Sequence, residues 1–418
     1  MSKLTFGRYD IAACMTFAIY AMCSMIIPMC LVPLAVDLGF PLTDGGMGLG
    51  GMLQLGRAIP MVVAMVFCGF AAGKWGKRRS LGFSILFMTV GVIACSFAPM
   101  YGVLIIALVV AGLGEGVVEG LATPYIQDLH PNDAGRYLNF SHSFWSVGVV
   151  ITVLAAGALL SIGVSWRVLV FGCGVLALVP VLIYLLPGKD GVKEHDEPVH
   201  WKEICAKTRD IVKERRFWLF FVAMFFAGGG EFCLTFWCAS FIQLEYGGTA
   251  WIAGAGTASF AAGMFVGRFV SGFLVKQDKL KILIVVMGAV SMVVCLFFPW
   301  LESVYTLLAL LFVSGIAVGP FWPSIQSDGA IRVKGDYTMQ MILYSCAGVP
   351  GCGVFTSIMG VLGDRIGLRM SFYVVPACFF IVFALMGYDW LAERREKRAS
   401  ARGSASTRRS GQLRPVAE

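Results

Sequence analysis

The sequence predicts an all-α integral membrane protein with twelve transmembrane helices in two six-helix halves. Of its 418 residues, 58% are hydrophobic and only 14% are charged. The charged residues gather between apolar blocks of about twenty residues, which is the length that a helix needs to cross a hydrocarbon core about 30 Å thick. A hydrophilic stretch at 188–216 separates six such blocks from six more.

The apolar blocks follow one another along the whole chain. They lie at 11–37, 45–72, 80–98, 101–126, 139–162, 166–187, 217–243, 250–275, 280–300, 304–326, 338–362 and 370–390. We therefore predict an N-terminal half at 1–187, a cytoplasmic linker at 188–216, a C-terminal half at 217–390 and a basic cytoplasmic tail at 391–418. The tail is rich in Ser, Arg and Gly, and such a composition is typical of disorder.

Basic residues in the connections predict the orientation in the membrane. One set of alternate connections contains Lys74, Lys77, Arg78, Arg79, Arg136, the basic residues of 189–216, Lys276, Lys279, Lys281, Arg332 and Lys334, whereas the other set contains Arg167, Arg365 and Arg369. Since basic residues favour the cytoplasmic side, both termini are expected in the cytoplasm of a multi-pass protein of the inner membrane.

Other classes of protein are disfavoured by what the sequence lacks. Most of the thirteen cysteines lie inside apolar blocks without CxxC spacing, and they are expected to be small buried hydrophobic residues. The sequence has no Walker, HExxH or GxSxG motif, so we predict no enzyme, cofactor or metal ion. We expect a monomer in the lipid bilayer whose partners are a small-molecule substrate and protons, with no nucleic acid.

The two halves also resemble each other weakly. "PYIQD" from Pro124 ends the fourth block and "PSIQSD" from Pro323 ends the tenth. Equal halves joined by a linker are typical of parallel-repeat transporters, in which the substrate binds near the midplane between the halves.

The 6+6 arrangement and one loop resemble the major facilitator superfamily, whose signature after the second span is G-x-x-x-D-[RK]-x-G-[RK]-[RK]. The loop "GFAAGKWGKRRS" keeps Gly69, Lys74, Gly76, Lys77 and Arg78, but it has a glycine in place of the aspartate. A second form, "GVLGDRIGLR" at 360–369, contains Asp364 and Arg365. The resemblance implies that these motif residues act as a conformational gate.

The region "VEGLATPYIQDLHPNDAGRYLNFSHSFWSVG" at 118–148 is similar to the fucose, galactose and glucose:proton symporter family. Glu119, Pro124, Pro131 and Asn139 carry this resemblance, followed by Phe144 and Gly148. It implies that Glu119 is a proton-coupling carboxylate and that Asn139, His142 and Trp145 contact a sugar. In that family, the positions of His142 and Trp145 hold glutamine and asparagine, so a different substrate pose is expected.

Glu115, Glu119, Glu231 and His142 are the candidates for proton coupling. Glu115 and Glu119 are four residues apart and lie on one helix face. A charge at the centre of a bilayer costs roughly 2.5–3.5 kcal/mol, so that face has to look into protein or a water-filled cavity. Burial disfavours the ionised form of a carboxyl group, and imidazole titrates near neutral pH, so a His142–Glu119 pair could relay a proton. Alternatively, these groups pack helices together through hydrogen bonds.

The family's first-span aspartate, four residues before a proline, is replaced here by Met29 before Pro33. A proton dyad of that aspartate with Glu119 is thereby excluded. Coupling has to use Glu119 with Glu231, Glu115 or His142, or the protein is a uniporter.

Arg57 and Arg268 are cations within apolar blocks, so each needs a carboxylate partner or an anionic ligand. Pairing with Glu119 or Glu231 is one interpretation, and binding of an anionic substrate group is the other. Aromatic and amide side chains near the middle of spans are further candidates for substrate binding. They are Gln54, Trp237, Trp322, Gln326 and Tyr344.

The leading functional hypothesis is proton-coupled uptake of a monosaccharide or sugar derivative by alternating access. One alternative is an exporter or antiporter of organic anions or amphipathic compounds, although "SVGVVITVLAAGALL" lacks the G-x-x-x-G-P-x-x-G-G motif of drug antiporters. A nutrient receptor that binds without transport is the other alternative.

Overall fold

The computed structural model describes the backbone of residues 5–130, 134–189 and 201–411. Within these ranges, the side chains of residues 134–136, 138, 139, 201, 273, 338 and 396–411 lie outside the description. The helices are α1 (Arg8–Met29), α2 (Leu31–Asp37), α3 (Met47–Trp75), α4 (Lys77–Ser96), α5 (Tyr101–Leu129), α6 (Ala134–Ser161), α7 (Trp166–Leu185), α8 (Trp201–Val212), α9 (Arg215–Tyr246), α10 (Ala250–Leu274), α11 (Leu280–Leu296), α12 (Val304–Val318), α13 (Phe321–Arg332), α14 (Tyr337–Ile366), α15 (Leu368–Ser371) and α16 (Val374–Gly411).

Twelve helical segments among the described residues are long and apolar enough to cross a membrane. They are α1, α3, α4, α5, α6, α7, α9, α10, the α11 segment, α12 with α13, α14, and α15 with α16. The prediction of an all-α fold with twelve spans is confirmed.

Two spans are interrupted at residues that limit helix formation. The tenth span breaks between α12 and α13 at Pro320, which has no N–H to donate to the preceding turn. The first block breaks at Cys30, and α2 restarts with Pro33 in its first turn, where a missing N–H costs nothing.

Consecutive spans run in opposite directions, so their ends form two faces. We call the face that holds the start of α1 and the starts of α4, α6, α9 and α14 the terminal face, and the opposite one the distal face. The described part of the linker after residue 200 lies at the terminal face. Within it, the stretch Trp201–Val212 forms α8, with Ile211 buried and Lys207 Nζ 3.4 Å from Asp336.

The last helix extends into the predicted tail. The last helix, α16, runs without a break from Val374 to Gly411, well beyond residue 391 where disorder was expected. Ala, Arg, Glu and Lys favour helix, and extending a helix that already exists avoids the cost of nucleation. Residues 412–418 lie outside the described part of the chain.

The two halves meet closely at the distal face, where α14 packs on α3. The carboxylate of Asp364 accepts hydrogen bonds from Met47 N at 2.9 Å and from Gly48 N at 2.7 Å, at the start of α3. One turn further along α3, a Cβ at Gly51 would lie 2.7 Å from the carbonyl oxygen of Thr356, so only glycine allows this approach.

A second contact between the halves joins α6 and α10. A Cβ at Gly254 would lie 2.3 Å from the carbonyl oxygen of Val153. Nearby, the amide of Trp251 donates to Ser161 Oγ at 2.9 Å. Together, these contacts hold the distal face closed.

We expect Asp364→Ala to loosen the distal face. The first turn of α3 loses a carboxylate that caps its free N–H groups and complements its helix dipole, which is a contribution of about 1 kcal/mol. Hydrogen–deuterium exchange of the segment 42–52 in detergent should become several-fold faster. Asp44→Ala, which removes an exposed carboxylate in the same segment, is the matched control. Equal exchange in Asp364→Ala and wild type would contradict the role of Asp364.

Candidate functional site

A buried ion pair lies at the middle of the N-terminal half, between α3 and α5. Arg57 Nε and Nη2 each donate to one carboxylate oxygen of Glu115 at 2.5 Å. The remaining donor directions are filled from α1, because Nη1 donates to the carbonyl oxygen of Ser24 at 3.1 Å and Nη2 also donates to Ser24 Oγ. The side chains are 4% and 0% exposed. Both charges are therefore neutralised within the half.

Glycines beside Glu115 make this pair possible. In "GLGEG", a Cβ at Gly112 would lie 2.4 Å from the carbonyl oxygen of Arg57, and one at Gly116 would lie 2.1 Å from that of Met61. Without side chains at these positions, α3 approaches α5 closely enough for a bidentate arginine–carboxylate contact. Of the two interpretations of Arg57, pairing with a carboxylate applies, but the predicted partners Glu119 and Glu231 are wrong. Glu115, one turn before Glu119 on α5, is the carboxylate that lies at the depth of Arg57.

Glu119 lies one turn further toward the terminal face of α5 and looks to the other half. Its Oε1 accepts a hydrogen bond from Ser345 Oγ of α14 at 3.4 Å. Ser345 in turn accepts from Gln326 Nε2 of α13 at 2.9 Å. Glu119 thus faces polar groups of the C-terminal half, and no arginine or lysine forms an ion pair with it among the described residues.

His142 does not form the expected pair with Glu119. Its Nε2 lies 3.0 Å from Thr123 Oγ1, one turn along α5 from Glu119, and its ring packs against Phe17 of α1 with centroids 4.3 Å apart. His142 is nevertheless exposed. This exposure within the bundle indicates that space reaches the central layer from the terminal face.

The C-terminal half contains a second arginine–carboxylate contact with a looser geometry. Arg268 Nη2 of α10 donates to Glu231 Oε1 of α9 at 3.3 Å, and Nε donates to the carbonyl oxygen of Gly319 at 2.9 Å. The Arg268 side chain is 25% exposed and that of Glu231 is 9% exposed. Glu231 is one of the two partners expected for an arginine, but the contact uses a single oxygen.

The triple glycine before Glu231 does not open α9, which is continuous from Arg215 to Tyr246. The glycines admit neighbouring helices instead. A Cβ at Gly228 would lie 2.6 Å from the carbonyl oxygen of Gly348, and one at Gly230 would meet the ring of Phe379 at 2.6 Å. These contacts fix the rotation of α9, and with it the direction of Glu231.

A narrow cavity lies between α6 of one half and α9 and α10 of the other. Its lining includes Trp145, Ser146, Glu231, Thr235 and Thr257. Trp145 also packs edge-on against Tyr20 of α1, with ring centroids 4.6 Å apart. The cavity therefore combines an aromatic ring, hydroxyl groups and a carboxylate, which is a chemistry suited to a polar solute with apolar C–H faces.

Several other predicted contacts are buried away from this space. Trp237 is fully buried and its Nε1 donates to the carbonyl oxygen of Thr356 near the distal face. Tyr344 is also fully buried and stacks on Phe217. Gln54 is 5% exposed beside Arg57 in the N-terminal half. Their packing against neighbouring helices favours a structural role.

Trp322 and Gln326 are partly exposed and stay close to the interface between the halves. Trp322 covers Gly348, where a Cβ would lie 2.5 Å from its ring, and Gln326 bonds Ser345 as described above. The side chain of Asn139 lies outside the described residues.

The proposed gate residues lie at opposite faces. Gly76 has φ +77°, a conformation that favours glycine, and Lys77 Nζ lies 2.6 Å from Asp128 at the terminal face. Arg78 donates to the carbonyl oxygen of Tyr184, also within the N-terminal half. Lys74 is exposed at the same face, whereas Asp364 and Arg365 are exposed at the distal face. Asp364 is the member that joins the two halves, through the bonds to α3 described above.

An ion cluster at the terminal face of the C-terminal half was not predicted. Lys281 is 1% exposed and contacts Asp389, while Arg332 bonds Asp328 at 2.6 Å and Glu393 at 2.7 Å. Arg216 of α9 also donates to Asp389 at 2.9 Å. The members of the cluster therefore come from four helices, α9, α11, α13 and α16, so the contacts between these helices leave no signal in the sequence spacing. The sequence feature that could have indicated this cluster is Asp328, which ends the "PSIQSD" segment. Among the described residues, no group of three or more His, Cys, Asp or Glu is placed to hold a metal ion.

Comparison with known proteins gives a family match and distant relatives. The model of the Major Facilitator Superfamily matches residues 12–337. The L-fucose-proton symporter of Escherichia coli (strain K12) is 21% identical over 68% of this chain and 71% of its own length. The arabinose-proton symporter of the same strain is 29% identical over 32% of this chain and 27% of its own. A Bacillus subtilis (strain 168) transporter, YybF, is 24% identical, and the match spans 31% of its length.

Solved structures with similar folds are transporters of the same architecture. The fold is similar to that of the E. coli fucose:proton symporter, with a TM-score of 0.66 and 16% identity over 91% of this chain and 98% of that one. A bacterial homologue of the human lysosomal transporter Spinster, in an inward-facing and unoccupied conformation, has a TM-score of 0.71 and 14% identity over 90% of this chain and 95% of that one. These likenesses confirm the fold.

We expect Glu115→Gln to destabilise the protein strongly. It leaves the charge of Arg57 buried without a counter-charge, and breaking such a pair typically costs about 3–5 kcal/mol. Glu231→Gln is the matched control, because its contact is single and partly exposed, and it should cost about 1 kcal/mol or less. Thermal unfolding in detergent, followed by tryptophan fluorescence, measures both. Equal shifts of the two unfolding midpoints would show that the Arg57–Glu115 pair stabilises the protein no more than the Arg268–Glu231 contact does.

Proposed function

Because the chain belongs to the Major Facilitator Superfamily, we propose that it is a secondary transporter that takes up a monosaccharide or sugar derivative together with protons. Membership of this family makes it a membrane transporter and not an enzyme. The coupling to protons, the sugar and the direction are the proposal.

The observation that carries the proposal is the environment of Glu119. It is a partly buried carboxyl group at the interface between the halves, and its described hydrogen bond, to Ser345, crosses that interface. Rocking of the halves would break this bond and change the solvation of the carboxyl group. Proton binding and the inward–outward equilibrium are then linked, since a ligand shifts an equilibrium by its difference in affinity for the two states.

The other carboxylates of the central region, Glu115 and Glu231, are less suited to binding and releasing a proton. Glu115 is neutralised by Arg57, and Glu231 contacts Arg268. We therefore propose Glu119 as the main proton carrier, Glu231 as a secondary one, and the Arg57–Glu115 pair as a structural element. His142 can assist through Thr123, which lies one turn from Glu119 on α5.

Relatives support sugar and proton as the coupled pair, because two of them are a fucose-proton and an arabinose-proton symporter by name. The cavity beside Trp145 supports the same conclusion. Its aromatic ring can cover the C–H face of a sugar, while Thr235, Thr257 and Ser146 offer hydroxyl groups. His142, Gln326 and Trp322 lie toward the terminal face and are proposed as further contacts, with Asn139.

We propose that the terminal face is cytoplasmic, because the basic connections lie there, and that the protein resides in the inner membrane. The closed distal face is then external, and the structure represents a state that opens inward. In this proposal, Asp364 stabilises the closed outer gate, and the loop of Lys74, Gly76, Lys77 and Arg78 acts on the inner side.

We expect Glu119→Gln to abolish sugar-driven proton uptake but to retain exchange of labelled substrate. The amide keeps the size and hydrogen bonding of the side chain but cannot take up a proton. Proteoliposomes with an external pH electrode measure proton movement, and counterflow of labelled sugar measures exchange. A panel of hexoses, deoxyhexoses, amino sugars and uronic acids is screened first with wild type.

Asp278→Asn is the matched control, because Asp278 is exposed at the surface of the C-terminal half and should behave like wild type. Full uphill accumulation by Glu119→Gln would refute the role of Glu119. Protons that move opposite to the substrate would identify an antiporter, and binding without any flux would identify a receptor.

A further inference from the structure

We propose that the substrate carries a carboxylate group and that Arg268 binds it, so that the substrate class is a sugar acid and not a neutral sugar. This inference rests on the proposed function, since it concerns the substrate of the same central site.

Arg57 and Arg268 differ in how many of their hydrogen-bond donors have an acceptor within the described part of the protein. Arg57 has partners for Nε, Nη1 and Nη2, including both oxygens of Glu115, and it is 4% exposed. Arg268 is 25% exposed, and its Nη1 has no described hydrogen-bond acceptor. A guanidinium group is built to hold a carboxylate by two parallel hydrogen bonds. Arg57 makes that contact within the protein, whereas Arg268 remains available for it.

The position of Arg268 is suited to a ligand. It lies one turn along α10 from Met264, which lines the central cavity, and it contacts Glu231, which lines the same cavity. The hydrogen bond from Nε to the carbonyl oxygen of Gly319 holds the guanidinium plane in place at the break between α12 and α13. The terminal nitrogen Nη2 is thereby directed to Glu231, which lines the cavity.

The charges around the cavity also favour an anion that arrives with protons. The charged groups are Arg268, Glu231 and Glu119, with His142 nearby and the Arg57–Glu115 pair neutral by itself. With both glutamates ionised, this centre has one excess negative charge, and protonation of Glu119 removes it. A substrate carboxylate at Arg268 displaces Glu231, which then needs a proton of its own, because an uncompensated charge is costly in this environment. Sugar-acid binding and proton uptake are thus tied together.

Matched pairs of sugars test this inference without any variant. The pairs are glucose and glucuronate, galactose and galacturonate, and mannose and mannuronate, which differ only in the carboxylate at C6. Isothermal titration calorimetry on the purified full chain in detergent measures binding. We expect at least one uronate to bind about tenfold or more tighter than its neutral partner.

Three variants then assign the preference to Arg268. Arg268→Gln should weaken uronate binding about 10- to 100-fold, and Arg268→Lys should restore part of it. Glu231→Gln should strengthen uronate binding, because Arg268 loses its competing partner. If Arg268 had only a structural role, Glu231→Gln would not strengthen uronate binding while Arg268→Gln weakens it. Thermal unfolding of each variant shows whether it is folded.

Tighter or equal binding of the neutral sugars, binding of no uronate by wild type, or uronate binding unchanged in folded Arg268→Gln would overturn the inference. The outcome is separate from that of the proposed function. Neutral sugars that bind and move protons would support the proposed function and refute the inference. Arg268-dependent uronate binding without proton movement in proteoliposomes would do the reverse.

Discussion

The compensation of charge inside a low-dielectric bundle is the constraint on which the central architecture depends. Arg57 and Glu115 satisfy it completely, through two parallel hydrogen bonds and further contacts with Ser24. This arrangement ties α1, α3 and α5 into one unit. Since removal of either partner leaves a buried charge, the N-terminal half has little freedom to rearrange at this point.

The C-terminal half satisfies the same constraint less completely. Arg268 and Glu231 share a single contact at 3.3 Å and border a cavity, so their charges can be compensated by a substrate or a proton instead. Glu119 lies at the interface between the two halves and accepts a hydrogen bond from Ser345 of the C-terminal half. In the proposed mechanism, Glu119 lies between a half whose central charges are fully paired and a half whose pair is looser, and the inward and outward states differ in their affinity for protons and substrate.

Glycines set the distances on which these polar contacts depend. Gly112 and Gly116 bring α3 to Glu115, Gly228 and Gly230 orient α9, and Gly51 lets the two halves touch at the distal face. Close backbone approach through small residues is the usual means of helix association in membranes, where the hydrophobic effect between helices is absent. The direction of each charged side chain is therefore a consequence of helix packing around residues that have no side chain.

The sequence by itself determined the twelve spans and the family, and it singled out Glu119, Arg57 and Arg268 as charged residues within apolar blocks, because span length and polarity are local properties of the chain. The tertiary structure decided which charges meet. Arg57 pairs with Glu115 and not with Glu119, and His142 contacts Thr123. Trp237 and Tyr344 are buried in the core, and Lys281 joins an ion cluster drawn from four helices. Such partners depend on the rotation and depth of helices that are distant in sequence, and these are set by packing over the whole bundle.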